Sequence, residues 1–431
     1  MTKKEIKKLI DEKVWQTPFI DTHEHICEEK SRLNNKNDCW FEILRPYLGD
    51  DLITAGLGTD GYAKVWDDQT PLSKKWEMVA PFWNSVKNTG YAKSVIFSLK
   101  KLYGIDKISK KNLNIIQEKF LALKKKGFYK SILNDCANVK WCQVNSLEGK
   151  LFCETEYPDL LKQDLSIVPM FADENSVLAE SIEQFSKPTG IEVNNIDDWY
   201  AVIDWYFEKY GNEAIAVKSQ NAYNRELDYE RVPKEKAAPL FLKKIYKTDM
   251  SNIEKKQLED HLFWYAVDKA TQYNLPVKLH TGYFAGANGM PMSRVRKNPE
   301  NLTDLCMNSP KTKFIFMHMT YPYEHELVAI TKHHSNAYAA MCWAWIINPI
   351  AAKNFLKEFI LTAPVSKLLT FGGDYGYVEA VVGHAEIARK GISQAFVELI
   401  DEEWLSLDEA MEFIEKIMYK NAENIFNVNN N

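Results

Sequence analysis

Eight short runs of apolar and β-branched residues recur along the chain, separated by longer stretches with helical periodicity, and no other feature restricts the fold as strongly. The runs are 18–23 (PFIDTH), 139–145 (VKWCQVN), 165–171 (LSIVPMF), 214–220 (AIAVKSQ), 276–282 (PVKLHTG), 313–319 (KFIFMHM), 337–344 (AYAAMCWA) and 367–374 (KLLTFGGD). Strands that are apolar almost throughout, rather than at every second position, are buried on both faces, as in a parallel sheet covered by helices. Segments such as 258–274 (LEDHLFWYAVDKATQYN) and 325–334 (HELVAITKHH) supply that cover. Eight strand–helix units predict an α/β fold closed into a (β/α)8 TIM barrel, with an open doubly wound sheet as the alternative. No G-x-G-x-x-G follows any run and no G-x-x-x-x-G-K-[ST] occurs, so nucleotide binding loses its main support.

Two intervals are too long for a plain strand–helix unit. About 31–136, between the first and second runs, is rich in Trp, Tyr and Lys and reads as a mostly helical insertion, with Thr70 as an N-cap before Pro71 at the first helical position. Because it leaves the C-terminal end of the first strand, it is expected over the mouth of the barrel, where active sites of this fold are built. The second interval, 226–257, reads as a polar excursion after the fourth strand, and the only low-complexity tract is the tail VNNN. The 431 residues are therefore read as one barrel domain with a large insertion, although a typical domain of about 150 residues would suggest three.

Composition narrows the partners. The formal charge of −5 is too mild and too acidic for a nucleic-acid surface, and the lysine clusters at 100–101 and 124–126 read as solvated helix faces. Ile6, Leu9, Ile10 and Val14 share one face of a charged N-terminal segment, which suits an amphipathic helix and not a signal peptide. The longest apolar run, 339–347, ends at Asn348-Pro349 well short of the roughly 18 residues of a membrane span. Seven cysteines without a C-x-x-C pair suit a reduced, cytoplasmic setting. A small-molecule substrate is expected, with no nucleic acid and no membrane, in a chain able to form a homo-oligomer.

The first run continues into His-Glu-His. A chain with nine histidines contains roughly 0.2 H-x-H pairs by chance, so His23 and His25 alone say little. Placement says more, because residues i and i+2 of a strand face the same side and both would point into the barrel. The fifth run ends in His280, the sixth in His318 and the eighth in Asp374. These groups converge only if the sheet closes and brings strand eight beside strand one. Buried imidazoles and carboxylates cost stability unless paired, and a shared divalent metal supplies the pairing.

This pattern resembles the amidohydrolase superfamily and, more narrowly, the amidohydrolase-related family of metal-dependent TIM-barrel hydrolases. LPVKLHTG (275–282) and KNAENIFNV (420–428) fit that family, and VKSQNAYNRELDYE (217–230) is similar to the barrel domain fused to glutamine-synthetase-like proteins. The resemblance spans nearly the whole chain and is weakest in the insertion, where substrate identity should be set. It implies that His23, His25 and Asp374 hold a buried metal, and that His280 is a further ligand of that ion or of a second one. His318 is implied as a second-site ligand or, with one metal, as a proton donor or electrophile. Lys218, ending the fourth run, stands where many members carry a carboxylated lysine bridging two metals; the alternative is a cation paired with an acid. Carboxylation needs the neutral amine and two cations to hold the product.

Nitrogen and oxygen ligands with an open position suit Zn²⁺, with Mn²⁺ or Fe²⁺ as alternatives, and one or two ions. The expected activity is a metal-dependent hydrolase of the amidohydrolase type that attacks an amide, lactone or similar carbonyl, with Asp374 as general base and later proton donor. A decarboxylase or sugar-acid isomerase needs the same metal shell, and a catalytically silent binding barrel is the remaining alternative. Tyr223 and Arg225 follow the fourth strand and are candidate clamps for a substrate carboxylate, although Arg225 equally suits a structural ion pair. Tyr283, a further candidate for substrate binding, and Tyr375, Tyr377 and Glu379 lie on expected mouth loops with the same choice between substrate contact and structural pairing. His384 reads as structural, and Cys27 and Cys342 lack the paired base of a nucleophile.

Overall fold

The computed structural model describes residues 1–147, 149–171 and 182–428; the end of the asparagine-rich tail, 429–431, lies outside them. Its strands are β1 (Phe19–Glu24), β2 (Val139–Val144), β3 (Leu161–Gln163 continuing as Leu165–Ser166), β4 (Val217–Ser219), β5 (Val277–Leu279), β6 (Phe314–Phe316), β7 (Ala337–Ala340) and β8 (Leu368–Leu369). Each pairs in parallel with the next. Asp164 joins the two parts of β3, its N–H donating to Val144 O at 2.9 Å while Leu165 N donates to Ala216 O at 2.9 Å. The segment after β8 then returns to β1: Thr22 N donates to Phe371 O at 3.0 Å, Asp374 N to His23 O at 2.9 Å and His25 N to Tyr375 O at 2.8 Å. The sheet is thus a closed eight-stranded barrel.

The third strand departs from its expected position. It runs from Leu161 to Ser166, and Val168–Phe171 is a 3-10 turn rather than the second half of a strand. The proline at 169 has no N–H to give the ladder, so pairing begins upstream instead. Ile20, Trp141, Ile215, Ile315 and Leu369 form one apolar cluster with Ala422, Ile425 and Phe426, closing the end of the barrel opposite the histidines.

Between β1 and β2 the chain is helical, as expected of the insertion, and the core built around Trp40, Leu44, Val79, Leu99 and Phe120 is separate from that of the barrel. Its helix Gly90–Tyr103 lies against the helix Val378–Asp401, close enough that a Cβ on Gly383 would meet Ser94 O at 1.8 Å. Helix Leu72–Val86 starts one residue later than expected: Pro71 is the capping residue, and the Thr70 hydroxyl is turned to Asp67. The N-terminal helix Lys3–Gln16 is closed by a Thr2–Glu5 capping box and buries Ile10 and Val14, while Leu9 stays exposed. The interval 226–257 is more than a polar excursion, for it holds helix Lys234–Ile245 and the start of helix Asn252–Gln272. Among the described residues no helix is long and apolar enough to cross a membrane.

Candidate active site

The strand ends bring His23, His25 and Asp374 together. His23 Nε2 lies 3.2 Å and His25 Nε2 3.1 Å from Asp374 Oδ1, with all three residues at least largely buried. His25 Nδ1 is 2.7 Å from Asn145 O, an atom that only accepts, so the ring proton sits on Nδ1 and Nε2 turns its lone pair to the carboxylate. Gln220 approaches that Nε2 at 3.2 Å through its side-chain nitrogen. His23 Nε2 makes no well-formed hydrogen bond in a fully buried position. Electron-rich atoms this close and this dry require a cation among them, and donor separations near 3 Å are those of ligands about 2.1 Å from one ion. The residues therefore fit a divalent metal.

A second pair adjoins the first. His318 Nε2 faces His280 Nδ1 at 2.9 Å, while His318 Nδ1 is 3.1 Å from Cys342 O and His280 Nε2 is 2.9 Å from Tyr283 O. Each ring thus spends its proton on a carbonyl, and the facing nitrogens again call for a cation, either a proton or a metal. Burial lowers both histidines, His318 to about 4. The Cys342 thiol lies near His318 and Asp374, and burial pushes it far up, so it is no thiolate nucleophile.

Lys218 and Lys278 are register neighbours on β4 and β5, both buried. Lys278 donates to Thr22 O at 2.6 Å, Gln143 Oε1 at 2.8 Å and Asp164 Oδ2 at 2.6 Å, with a longer contact to His23 Nδ1 at 3.4 Å. That engages one carboxylate oxygen of Asp164 and leaves its Oδ1 buried without a hydrogen bond. Lys218 Nζ has no hydrogen-bond partner, and burial lowers its amine to about 7. Below the histidines, Asp21 and Glu24 are buried side by side; burial raises Asp21 to about 6, and burial plus Asp21 raises Glu24 well above its usual range. Glu24 accepts the Tyr375 N–H at 2.6 Å, and a Cβ on Gly373 would meet its Oε1 at 1.9 Å.

Backbone strain gathers at this mouth. His318, Met319, Thr320, Trp343 and Asp374, all following β6, β7 and β8, have φ between 43° and 63°, as does Tyr47 in the insertion at 57°. Non-glycine residues adopt this region at a cost and persist there only where surrounding packing imposes it.

The site opens into a cavity of about 570 Å³ lined by His25, Gln220, Tyr223, His280, Asp374, Tyr375 and Tyr377, with Arg45, Tyr47, Asp50, Tyr62 and Trp66 of the insertion as the facing wall. The Tyr47 hydroxyl donates to Asp374 O, and Tyr223, 4.5 Å from the His280 ring, accepts the Ala285 N–H through its hydroxyl at 3.0 Å. Tyr283 engages the site through its carbonyl.

Arg225 is not brought to this cavity, which corrects its reading as a substrate clamp. Its guanidinium is taken by Glu259 at 2.9 Å, Asp260 at 2.6 Å and Asp228 at 3.2 Å, and its Nε by Glu226 O. Glu379 likewise accepts from Arg32 at 2.8 Å and faces away from the reaction, and His384 is buried beside Phe371 and Tyr375. Sequence reasoning missed Lys278, Gln220, Asp164 and the insertion's Arg45 and Tyr47. Lys278 and Gln220 had a usable signal, since Lys278/His280 and Lys218/Gln220 repeat the i, i+2 spacing of His23/His25. Nothing in the insertion marked Arg45.

The fold is a closed parallel barrel with His-x-His at the end of its first strand and an aspartate after its eighth. The family model described as amidohydrolase matches residues 249–428, the C-terminal part of the barrel and less than half of the chain. Protein fluG of Emericella nidulans is 24% identical over 183 residues, 41% of this chain and 21% of that protein, so the chain spans about a fifth of that relative's length. Uronate isomerase of Thermotoga maritima superposes with a TM-score of 0.77 at 15% identity, covering 98% of this chain and 97% of the other. Glucuronate isomerase of Caulobacter crescentus gives 0.76 at 16% identity over 99% and 94% of the two chains. A protein from Lactobacillus casei described only as a metal-dependent hydrolase gives 0.66 at 16%, over 99% and 98%. At these identities the likeness concerns the fold.

Proposed function

We propose that the protein is a metal-dependent hydrolase that cleaves a carbonyl-centred bond of a small polar molecule, with His23, His25 and Asp374 holding the ion, zinc by the chemistry of the donors. The observation that carries this reading is the convergence of His23 Nε2 and His25 Nε2 on Asp374 Oδ1, at 3.2 and 3.1 Å, at the barrel mouth. When bound, a divalent ion supplies Lewis-acid polarisation of a carbonyl and an acidified water, whose pKa falls to about 7 in such sites. The chain's own groups do the rest. Asp374, ionised and directed at the cavity, takes the proton of the attacking water at its carboxylate. Asp374 returns that proton to the leaving group, while His280 and His318, kept neutral by burial with their facing nitrogens 2.9 Å apart, serve as further ligands or as electrophiles toward the substrate. Lys218 as a neutral amine either faces the substrate unmodified or takes up CO₂ as a carbamate, with loss of a proton; the carbamate needs a second ion, so two equivalents of metal accompany it.

The rival reaction is sugar-acid isomerisation, favoured by the likeness in fold to two uronate isomerases over nearly their full length. Turnover of a panel of N-acyl amino acids, lactones and hexuronates in ¹⁸O-water separates the reactions. Label entering a product carboxylate with bond cleavage is expected; an aldose–ketose change without water uptake assigns the isomerase, and CO₂ release a decarboxylase. His23→Asn should remove both bound metal and turnover, and retention of either sinks the assignment of the ligands.

A further inference from the structure

The insertion contributes one cation to the cavity, and its surroundings differ from those of the arginines packed elsewhere. Arg45 follows the helical turn Trp40–Leu44 and precedes Tyr47, whose positive φ turns the chain so that both side chains reach the cavity. Its Nε donates to the Tyr62 hydroxyl at 2.8 Å, and its plane is held over the Trp66 ring and 5.0 Å from the Phe41 ring centroid. Among the described residues no carboxylate stands within ion-pairing distance of it. Asp50, whose charge acts on Arg45, lines the same cavity and accepts the Gly286 N–H at 3.0 Å. Arg32 and Arg225 have buried acids, Arg231 has Asp268, and Arg389 has four carbonyls. A half-buried guanidinium fixed by two aromatic faces and a phenol, with the free edge of its fork toward a cavity, has paid the desolvation of an ion pair without forming one.

We propose that Arg45 is the receptor for a substrate carboxylate, making the substrate class a small organic acid with one carboxylate on Arg45 and its reacting carbonyl toward Asp374. The inference rests on the cavity being the substrate site and deepens that reading. Arg45 takes the role that the sequence offered to Arg225. Its two parallel N–H donors match a carboxylate bidentately, and the ring faces leave it little rotamer freedom to lose on binding.

The test uses the metal-loaded protein and two probes of equal shape, glutarate and glutaramide, titrated calorimetrically. Glutarate should bind the wild type at least tenfold more tightly. Arg45→Met, which keeps the packing between Phe41 and Trp66, should weaken glutarate at least tenfold and leave glutaramide and metal content unchanged. Arg45→Lys, which keeps the charge but not the fork, should fall between. Equal binding of the two probes by the wild type, or undiminished glutarate binding by Arg45→Met, overturns the proposal. Should the Met variant not melt cooperatively, Arg45→Lys decides, and wild-type glutarate affinity in it overturns the proposal equally. Failure of the metal-hydrolase reading shows separately, as a wild type without stoichiometric metal, whatever Arg45 does.

Discussion

His384 is a buried histidine that the site does not use, and it bears on stability at acid pH. Both ring nitrogens lack a well-formed hydrogen bond, and burial lowers the ring to about 3. The folded protein thus keeps His384 neutral, whereas the unfolded chain protonates it near 6.5. Its contribution is fully present above pH 6.5 and is lost as pH falls toward 3, by about 2 kcal/mol between pH 6.5 and 5. His384→Leu should flatten that part of the urea-denaturation profile and match or exceed wild-type stability at pH 7 by roughly 1 kcal/mol, since it removes two unsatisfied buried atoms. An unchanged acid limb would show that His384 has a partner or takes its proton in the folded state. Single residues differ in how far the sequence reveals them. His23, His25, His280, His318 and Asp374 were legible because each ends an apolar run, and a polar group there has few reasons to exist. Arg225 was misread because Glu259 and Asp260, which hold it, arrive from a helix that begins more than twenty residues later.

At the scale of elements, strand identity came from apolar runs and strand bounds did not. β3 shifted upstream because its pairing depends on Asp164 meeting Val144 and Ala216 being met by Leu165, contacts that a run of apolar letters does not encode. The left-handed residues after β6, β7 and β8 were equally hidden, since His318, Trp343 and Asp374 are unremarkable letters for a strand end. Helices show the same dependence on remote partners. Arg389, on helix Val378–Asp401, donates to Val14 O and Thr17 O at the end of helix Lys3–Gln16 and to Ala137 O and Asn138 O before β2. Burial pushes its guanidinium down to about 9, still charged at neutral pH. One side chain therefore satisfies the orphaned carbonyls of two other elements. Arg389→Met should cost about 2–4 kcal/mol in urea denaturation, because it strands buried carbonyls rather than removing a surface contact. Hydrogen exchange should locate the loss in helix Lys3–Gln16 and at 137–139, with the metal ligands keeping their metal. Uniform loss of protection across the barrel would contradict this local role.

For the molecule as a whole, the mouth of the barrel is the place where the fold works against itself. His25 Nε2 turns a lone pair toward Asp374 Oδ1 with His23 Nε2 3.2 Å from the same oxygen, the His280–His318 pair repeats the problem, and Lys218 stands unpaired beside Lys278. A core so arranged is stable only with cations in it, so metal and fold should be thermodynamically linked. Stripping the protein with a strong chelator should lower its melting temperature by roughly 5 °C or more, and zinc at a thousandfold excess over its Kd should restore about 4 kcal/mol. The dependence should vanish in His25→Asn and Asp374→Asn, where the repulsion is relieved along with the binding. Such variants should therefore melt above the stripped wild type while binding no metal, an ordering that a merely catalytic ion would not produce. Elemental analysis of the same samples reads the role of Lys218. One equivalent per chain leaves it an amine; two equivalents, with the second lost in Lys218→Met and a mass increment of CO₂ in the intact chain, make it a carbamate. A stripped wild type that melts with the loaded protein would mean that protons, not a metal, hold these residues together.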